Sequence, residues 1–213
     1  MLEKRAFTFD VRAAENDSGE KIITGRPIVY NKRTNLGMFD EIIDTGALDT
    51  ADLTDVRFLV NHNTNMIPLA RSRRNNGNST MKMSIDFEGL KLDFVKLDVE
   101  NNSEARALYS AVKRGDISGM SFMFFVDSDS WENLETEHPT RHVTKIGSVV
   151  EVSAVTFPAY ESTEINARSE AAALDNAKIV LDKARAENRA ASLDNDENIS
   201  LLKEKTKFLM GGF

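Results

Sequence analysis

Nucleophilic catalysis in this sequence would have to come from a hydroxyl or an amine. The chain contains no cysteine, so a covalent nucleophile would be a serine, threonine or lysine that is activated by a base. Ser121 is the strongest candidate, because it lies among Met, Phe and Val residues in ISGMSFMFFV, where a buried hydroxyl needs a partner. Gly119, on the same strand face, would leave room for a substrate backbone. The alternatives are a core serine bonded to a strand carbonyl, and Ser118 as the nucleophile.

His62 is the candidate base for such a nucleophile. It follows an apolar run in VRFLVNHN, where a strand end would position it and leave it reachable. An imidazole titrates near neutral pH, so it could accept the proton of a serine hydroxyl. The alternative is a histidine that hydrogen-bonds a backbone group at the end of its strand.

Glu151 is the candidate third member of a catalytic triad. It interrupts the apolar run SVVEVSAVTF, and strand alternation places it on one face with Val149, Ser153 and Val155. A buried carboxylate is costly unless a donor pairs with it. An imidazole would be such a donor, and the carboxylate would hold it in one tautomer. A structural salt bridge with an arginine such as Arg71 is the alternative.

No metal or other cofactor is expected. His138 and His142 flank Pro139 in HPTRH, and their spacing suits a metal only on a helix, which the proline disfavours. The absence of cysteine also excludes thiolate metal sites and disulfide scaffolds.

Composition and charge argue against two kinds of partner. The formal net charge is −7, and the sequence pI is about 5.1, whereas a generic nucleic-acid binder needs a basic face. The first residues lack the apolar segment of a signal peptide, and no apolar run approaches membrane-spanning length. We therefore expect a soluble protein of a reducing compartment, with no nucleic-acid or membrane partner.

The candidate residues are positioned by segments with the period-two alternation of β-strands. Such alternation predicts strands at residues 7–11, 81–87 and 90–99. Gly89 marks a hairpin turn, and a slip of the apolar phase after Phe94 indicates a β-bulge. Residues 117–126 and 149–157 are apolar on both faces, which is typical of buried central strands. The sequence therefore places Ser121 and Glu151 on central strands.

Two helical regions complete the picture. A helix is predicted from Ser103, as N-cap, to Gly115, as C-terminal stop. After Arg168 the chain is rich in Ala, Glu, Lys and Asp and has no proline. We therefore predict a β-rich α+β domain at residues 1–168, with a barrel-like sheet, and a helical tail at 169–213.

The tail shows a weak apolar stripe at helical spacing. The stripe consists of Ala171, Leu174, Ala177, Leu181 and Ala184, and its spacing continues to the polar Asn188. One interpretation is a solvated helix that docks loosely on the domain. The other is a removable targeting segment, because FLMGGF at residues 208–213 would favour aggregation if it were exposed without a partner.

The order of these segments resembles the prohead maturation proteases of tailed bacteriophages, which are distantly similar to the herpesvirus assemblins. The resemblance covers about residues 4–168 and rests on TGRPIVYNKR, FDEIIDTGAL, VNHN with IPLAR, ALYSAVKRGDISGMSFMF and EVSAVTFPAYESTEINAR. It implies a compact β-barrel decorated with helices and a serine endopeptidase with His62 as base and Ser121 as nucleophile. Glu151 matches the third position, where the herpesvirus relatives use a second histidine. Ala159 and Tyr160 match the oxyanion-hole position.

The resemblance also implies a substrate and a place of action. The enzyme would cut the internal scaffold or the scaffolding segment of the major capsid protein, and then itself, inside the assembling procapsid in the host cytoplasm. The herpesvirus relatives need dimerisation for activity, which leaves a homodimer open. The alternative is an inactive, protease-like scaffolding component of the procapsid. His62, Ser121 and Glu151 together favour the enzyme, since a scaffold has no need to keep a buried glutamate.

Overall fold

Alternating apolar residues do form strands through most of the chain before residue 156. The computed structural model describes residues 2–7, 11–156 and 167–210. Their strands are β1 (Leu2–Phe7), β2 (Val11–Glu15), β3 (Lys21–Val29), β4 (Thr34–Asn35), β5 (Asp40–Ile43), β6 (Arg57–Val60), β7 (Ala70–Arg71), β8 (Met81–Asp86), β9 (Gly89–Lys96), β10 (Gly119–Glu132) and β11 (Thr140–Val155). Their helices are α1 (Ser103–Arg114), α2 (Ala167–Met210) and a short 3₁₀-helix, Arg73–Asn75.

The larger sheet is built around two long antiparallel strands, β10 and β11. Its order is β1-β10-β11-β5-β4, while β6 also pairs with β11, and β7 pairs with β6. Strand β11 pairs in parallel with β5 near its beginning and with β6 near its end. The end of β6 therefore lies beside the part of β11 that pairs with the segment of β10 around Ser121.

The smaller sheet has the order β2-β3-β9-β8 and contains the predicted hairpin and bulge. The Asp86–Gly89 pair closes the hairpin. Three pairs further along the ladder Met83 pairs with Leu92, and Lys82 then pairs with Phe94, which leaves Asp93 as one extra residue in β9, the bulge. Gly89 has φ of +136°, and a Cβ there would lie 2.2 Å from the carbonyl oxygen of Ile28. Both predictions for this hairpin are confirmed.

The hydrophobic core joins the two sheets. Ile23, Leu90 and Leu92 of the smaller sheet share one cluster with Met120 and Phe122 of β10, and all five are completely buried. Side chains alternate along a strand, so Ser121 lies on the other face of β10, away from this core. The register places Ser153 of β11 directly opposite Ser121 on that face.

Helix α1 begins one residue earlier than predicted. Asn102 is the N-cap, because its side-chain oxygen accepts hydrogen bonds from the amides of Glu104 and Ala105. The prediction of Ser103 as cap is therefore wrong, although Ser and Asn suit this position equally. Gly115 ends the helix in the left-handed conformation with φ of 82°, as predicted.

Helix α2 is a single 44-residue helix, so the predicted helical character of the tail is confirmed. Ala177 and Leu181 are buried against Leu36 and Phe39. Further along, Arg185 donates to the carbonyls of Leu134 and Thr136. The segment from residue 177 to residue 188 therefore packs on the strand-rich part of the chain. No described helix is long and apolar enough to span a membrane.

Four charged side chains, Glu3, Arg5, Glu41 and Arg141, form a buried ionic cluster that ties β1 to β5 and β11. Each residue is only 2% exposed. Arg5 contacts both glutamates, and Arg141 lies 2.6 Å from Glu3 and 3.0 Å from Glu41. Burial by itself would raise the pKa of Glu3, but the hydrogen bonds and charges of Arg141 and Arg5 outweigh it and lower that pKa.

The predicted fold class is confirmed in its general form. The chain is strand-rich and α+β, with a helical C-terminal region. The described strands pair into one seven-stranded and one four-stranded sheet, and their pairings close no barrel. The strand predicted at residues 7–11 lies partly outside the described residues: β1 ends at Phe7, and β2 begins at Val11.

Candidate active site

Ser121 lies in the middle of the larger sheet. It pairs with Ala6 of β1 on one side and with Ser153 of β11 on the other, and it is completely buried. Its Oγ is 2.5 Å from Nε2 of His62 and donates to the carbonyl of Arg5 at 2.7 Å. One hydroxyl proton can serve only one acceptor at a time. Attack by Ser121 therefore requires that its proton be directed to His62 instead of the Arg5 carbonyl.

His62 is placed by a tight turn that directly follows β6. Asn61 and His62 both have positive φ, at 51° and 56°, a conformation that is uncommon for residues other than glycine. Hydrogen bonds hold the turn: the amide nitrogen of Asn61 donates to the Ala154 carbonyl, and its side chain exchanges two bonds with Thr156, at 2.9 and 3.0 Å. The turn therefore fixes His62 against the end of β11.

Glu151 lies on β11 and is 2% exposed. Its Oε1 contacts Nδ1 of His62, and its Oε2 accepts a hydrogen bond from the hydroxyl of Ser153 at 2.6 Å. The alternative of a salt bridge between Glu151 and Arg71 is wrong, because Arg71 instead forms a two-bond pair with Asp55. The buried carboxylate thus has the imidazole partner that the sequence suggested.

The three side chains form a line in the order Glu151, His62, Ser121. With Nδ1–H donating to Glu151, the lone pair of Nε2 points to the Ser121 hydroxyl. The His62 side chain is 16% exposed, so His62 is the member that reaches solvent. The arrangement can remove a proton from a serine hydroxyl and stabilise the imidazolium that forms.

The other candidates lie apart from this line. Ser118 is exposed and precedes β10. His138 pairs with Asp40 at 2.9 Å, and His142 pairs with Asp44 at 2.8 Å. In the part of the chain that the structure describes, no group of three or more His, Cys, Asp or Glu side chains could hold a metal ion. The oxyanion-hole candidates, Ala159 and Tyr160, lie outside the described residues.

Ser153 is a functional candidate that its sequence context did not single out. Strand alternation did place this residue on the face of Glu151, which was the available signal. In the structure its Oγ contacts both Glu151 and the main-chain amide of His62. This connection joins residues 91 positions apart, so no sequence spacing could have indicated it.

A hydroxyl, an imidazole and a carboxylate bonded in this order are typical of serine hydrolases that act by acyl transfer. The chain belongs to the family of caudovirus prohead serine proteases, whose model matches residues 7–177. The resemblance found in the sequence motifs is thereby confirmed, and membership implies a serine protease of phage capsid maturation. No curated protein and no solved structure matches the chain.

Proposed function

We propose that this protein is a prohead maturation serine endopeptidase in which Ser121 is the nucleophile, His62 the general base and Glu151 the orienting carboxylate. One observation carries the assignment: the His62 ring contacts the Ser121 hydroxyl through one nitrogen and Glu151 through the other. Family membership supports the protease class independently of this geometry.

The chemistry would be acyl transfer to Ser121. Nε2 of His62 accepts the hydroxyl proton while Oγ attacks a peptide carbonyl, and the imidazolium, paired with Glu151, then protonates the leaving amine. Water, activated by the same imidazole, releases the acyl group from Ser121. Backbone N–H groups of Ala159 and Tyr160 are our candidates for stabilising the tetrahedral oxyanion. No metal or cofactor takes part in this scheme.

The substrates we propose are proteins of the assembling phage shell. They are the internal scaffold or the scaffolding segment of the major capsid protein, followed by the protease itself. The reaction would take place inside the procapsid, in the host cytoplasm. The herpesvirus likeness also leaves a homodimer open. The second candidate function, an inactive scaffolding component, is less favoured because the complete hydrogen-bonded line is present.

Co-expression with the capsid protein of the same phage tests the proposed function. We expect the wild-type protein to shorten both the capsid protein and itself, as measured by intact mass. Ser121→Ala should leave both masses unchanged. Ser118→Ala removes an exposed serine outside the site and should behave as wild type. Equal shell assembly with uncut proteins in all three cases would favour the scaffolding function.

We also propose a role for the tail, residues 169–213. Its distal part, after residue 188, would carry the protease into the growing shell and would later be removed. The segment at 177–188 packs on the sheet region and belongs to the folded unit. Beyond it, helix α2 exposes large apolar side chains, namely Leu193, Ile199, Leu201 and Leu202. A helix that exposes several large apolar side chains suits binding to a scaffold or capsid protein.

Truncation after Ala191 tests this targeting role. The shortened protein keeps the packing of Ala177 and Leu181, so it should fold and cleave capsid protein in solution as wild type does. It should, however, be largely missing from purified procapsids, as measured by quantitative immunoblotting against the capsid protein. A full-length variant with Lys183→Ala, an exposed position on the retained segment, is the matched control. Normal packaging of the truncated protein would refute the targeting role and leave the protease assignment intact.

A further inference from the structure

Ser153 carries a buried hydroxyl beside the proposed catalytic triad of Ser121, His62 and Glu151. It is completely buried on β11, where it pairs with Ser121 of β10 and with Leu59 of β6. Its hydroxyl donates to Oε2 of Glu151 at 2.6 Å. Its Oγ also accepts a hydrogen bond from the main-chain amide of His62 at 3.1 Å. Ser153 thus uses both its donor and an acceptor position on the two residues that would activate Ser121.

These bonds close a ring. The ring runs from the main-chain amide of His62 to Ser153 Oγ, on to the carboxylate of Glu151, and back through Nδ1 of the imidazole. It therefore holds the backbone and the ring of His62 against the same carboxylate. A triad carboxylate alone would restrain only the imidazole.

The backbone of His62 has particular need of such a restraint. His62 is in the left-handed conformation with φ of 56°, which surrounding structure must stabilise in a residue with a side chain. The neighbouring bonds between Asn61 and Thr156 hold one end of the turn. The bond from the His62 amide to Ser153 holds the turn at the base itself.

We infer that Ser153 is a positioning residue that sets the orientation of the general base through Glu151 and the His62 amide. In this role its hydroxyl acts through Glu151 and His62. The inference rests on the proposed function of Ser121, His62 and Glu151. Removal of the hydroxyl would leave the main-chain amide of the partly buried His62 without this acceptor. It would also remove one donor from the buried carboxylate of Glu151.

Substitution at residue 153 should change turnover more than substrate binding. We expect Ser153→Ala to lower kcat about 10- to 100-fold, the effect of losing a buried hydrogen bond to a charged group. KM for the capsid-protein substrate should stay close to that of wild type. Ser153→Thr keeps the hydroxyl and should recover most of the lost kcat, while Ser153→Cys, a weak donor, should fall between. Ser148→Ala, on the same strand and outside the ring, should match wild type.

A second measurement detects this ring of hydrogen bonds without measuring catalytic turnover. The proton NMR resonance of His62 Nδ1–H, bonded to Glu151, should be seen in wild type and in Ser153→Thr. It should be broadened or lost in Ser153→Ala, or in Ser153→Cys if the alanine variant does not fold. Ser121→Ala, which keeps the ring, should retain the resonance.

The outcomes separate this inference from the function on which it rests. Wild-type turnover no greater than that of Ser121→Ala would overturn the proposed function, and the positioning role would fall with it. Active wild type together with unchanged kcat and an unchanged resonance in folded Ser153→Ala would overturn the positioning role alone. A loss of kcat that Ser153→Thr does not recover would show that packing, and not the hydroxyl, matters at this position.

Discussion

Replacing Ser121 with alanine will abolish proteolysis, and replacing His62 with alanine will do the same. Attack needs both the hydroxyl and the imidazole that takes its proton. The distance between Ser121 Oγ and His62 Nε2 is 2.5 Å. In serine proteases, loss of either group lowers kcat by about 10⁶-fold. The measurement is the rate of appearance of shortened capsid protein, followed by mass spectrometry over a long incubation with purified variants.

The double variant, Ser121→Ala with His62→Ala, sharpens this prediction. Residues that act as one unit are strongly non-additive, so the double variant should be no slower than either single variant. His142→Ala, a histidine paired with Asp44 away from the site, should keep wild-type activity. Turnover by Ser121→Ala clearly above that of the double variant would mean that another nucleophile performs the reaction.

Glu151→Gln should keep the fold but lose about 10²- to 10⁴-fold in kcat, which is the range for removing the orienting carboxylate of a triad. Glutamine has almost the same shape as glutamate and places no charge in a position that is 2% exposed. It cannot, however, stabilise the imidazolium or select the tautomer that leaves Nε2 free. The measurements are kcat on the capsid protein and the melting temperature of each variant.

The control for Glu151→Gln is the same change at an exposed carboxylate. Glu137 is exposed in the loop between β10 and β11, and Glu137→Gln should leave kcat and the melting temperature unchanged. If Glu151→Gln were fully active, the third member of the triad would lie elsewhere or would be unnecessary. The roles of Ser121 and His62 would not be affected.

The sequence was most informative where local patterns determine structure. Segments that are apolar on both faces indicated the central strands that carry Ser121 and Glu151, and a slip of one residue indicated the bulge in β9. The left-handed stop of α1 followed from Gly115. In each case a few neighbouring residues carry the physical cause, so the pattern is visible without the fold.

Other features depend on contacts that no local pattern contains. The parallel pairing of β11 with both β5 and β6 joins segments far apart in the chain. The left-handed turn at Asn61 and His62 lacks the glycine that would have signalled it. The cluster formed by Glu3, Arg5, Glu41 and Arg141 was not foreseen either, because charged residues in a strand are ordinarily expected to face water.

The long-range pairing of the larger sheet determines at which stage of folding the proposed catalytic triad can form. Ser121 contacts Arg5, 116 residues earlier, and His62 contacts Glu151, 89 residues later. Contacts between such distant segments form slowly, since closing long loops costs entropy before any pairing is gained. We therefore expect a lag between synthesis and the first cut, as partly folded chains lack either the base or its carboxylate.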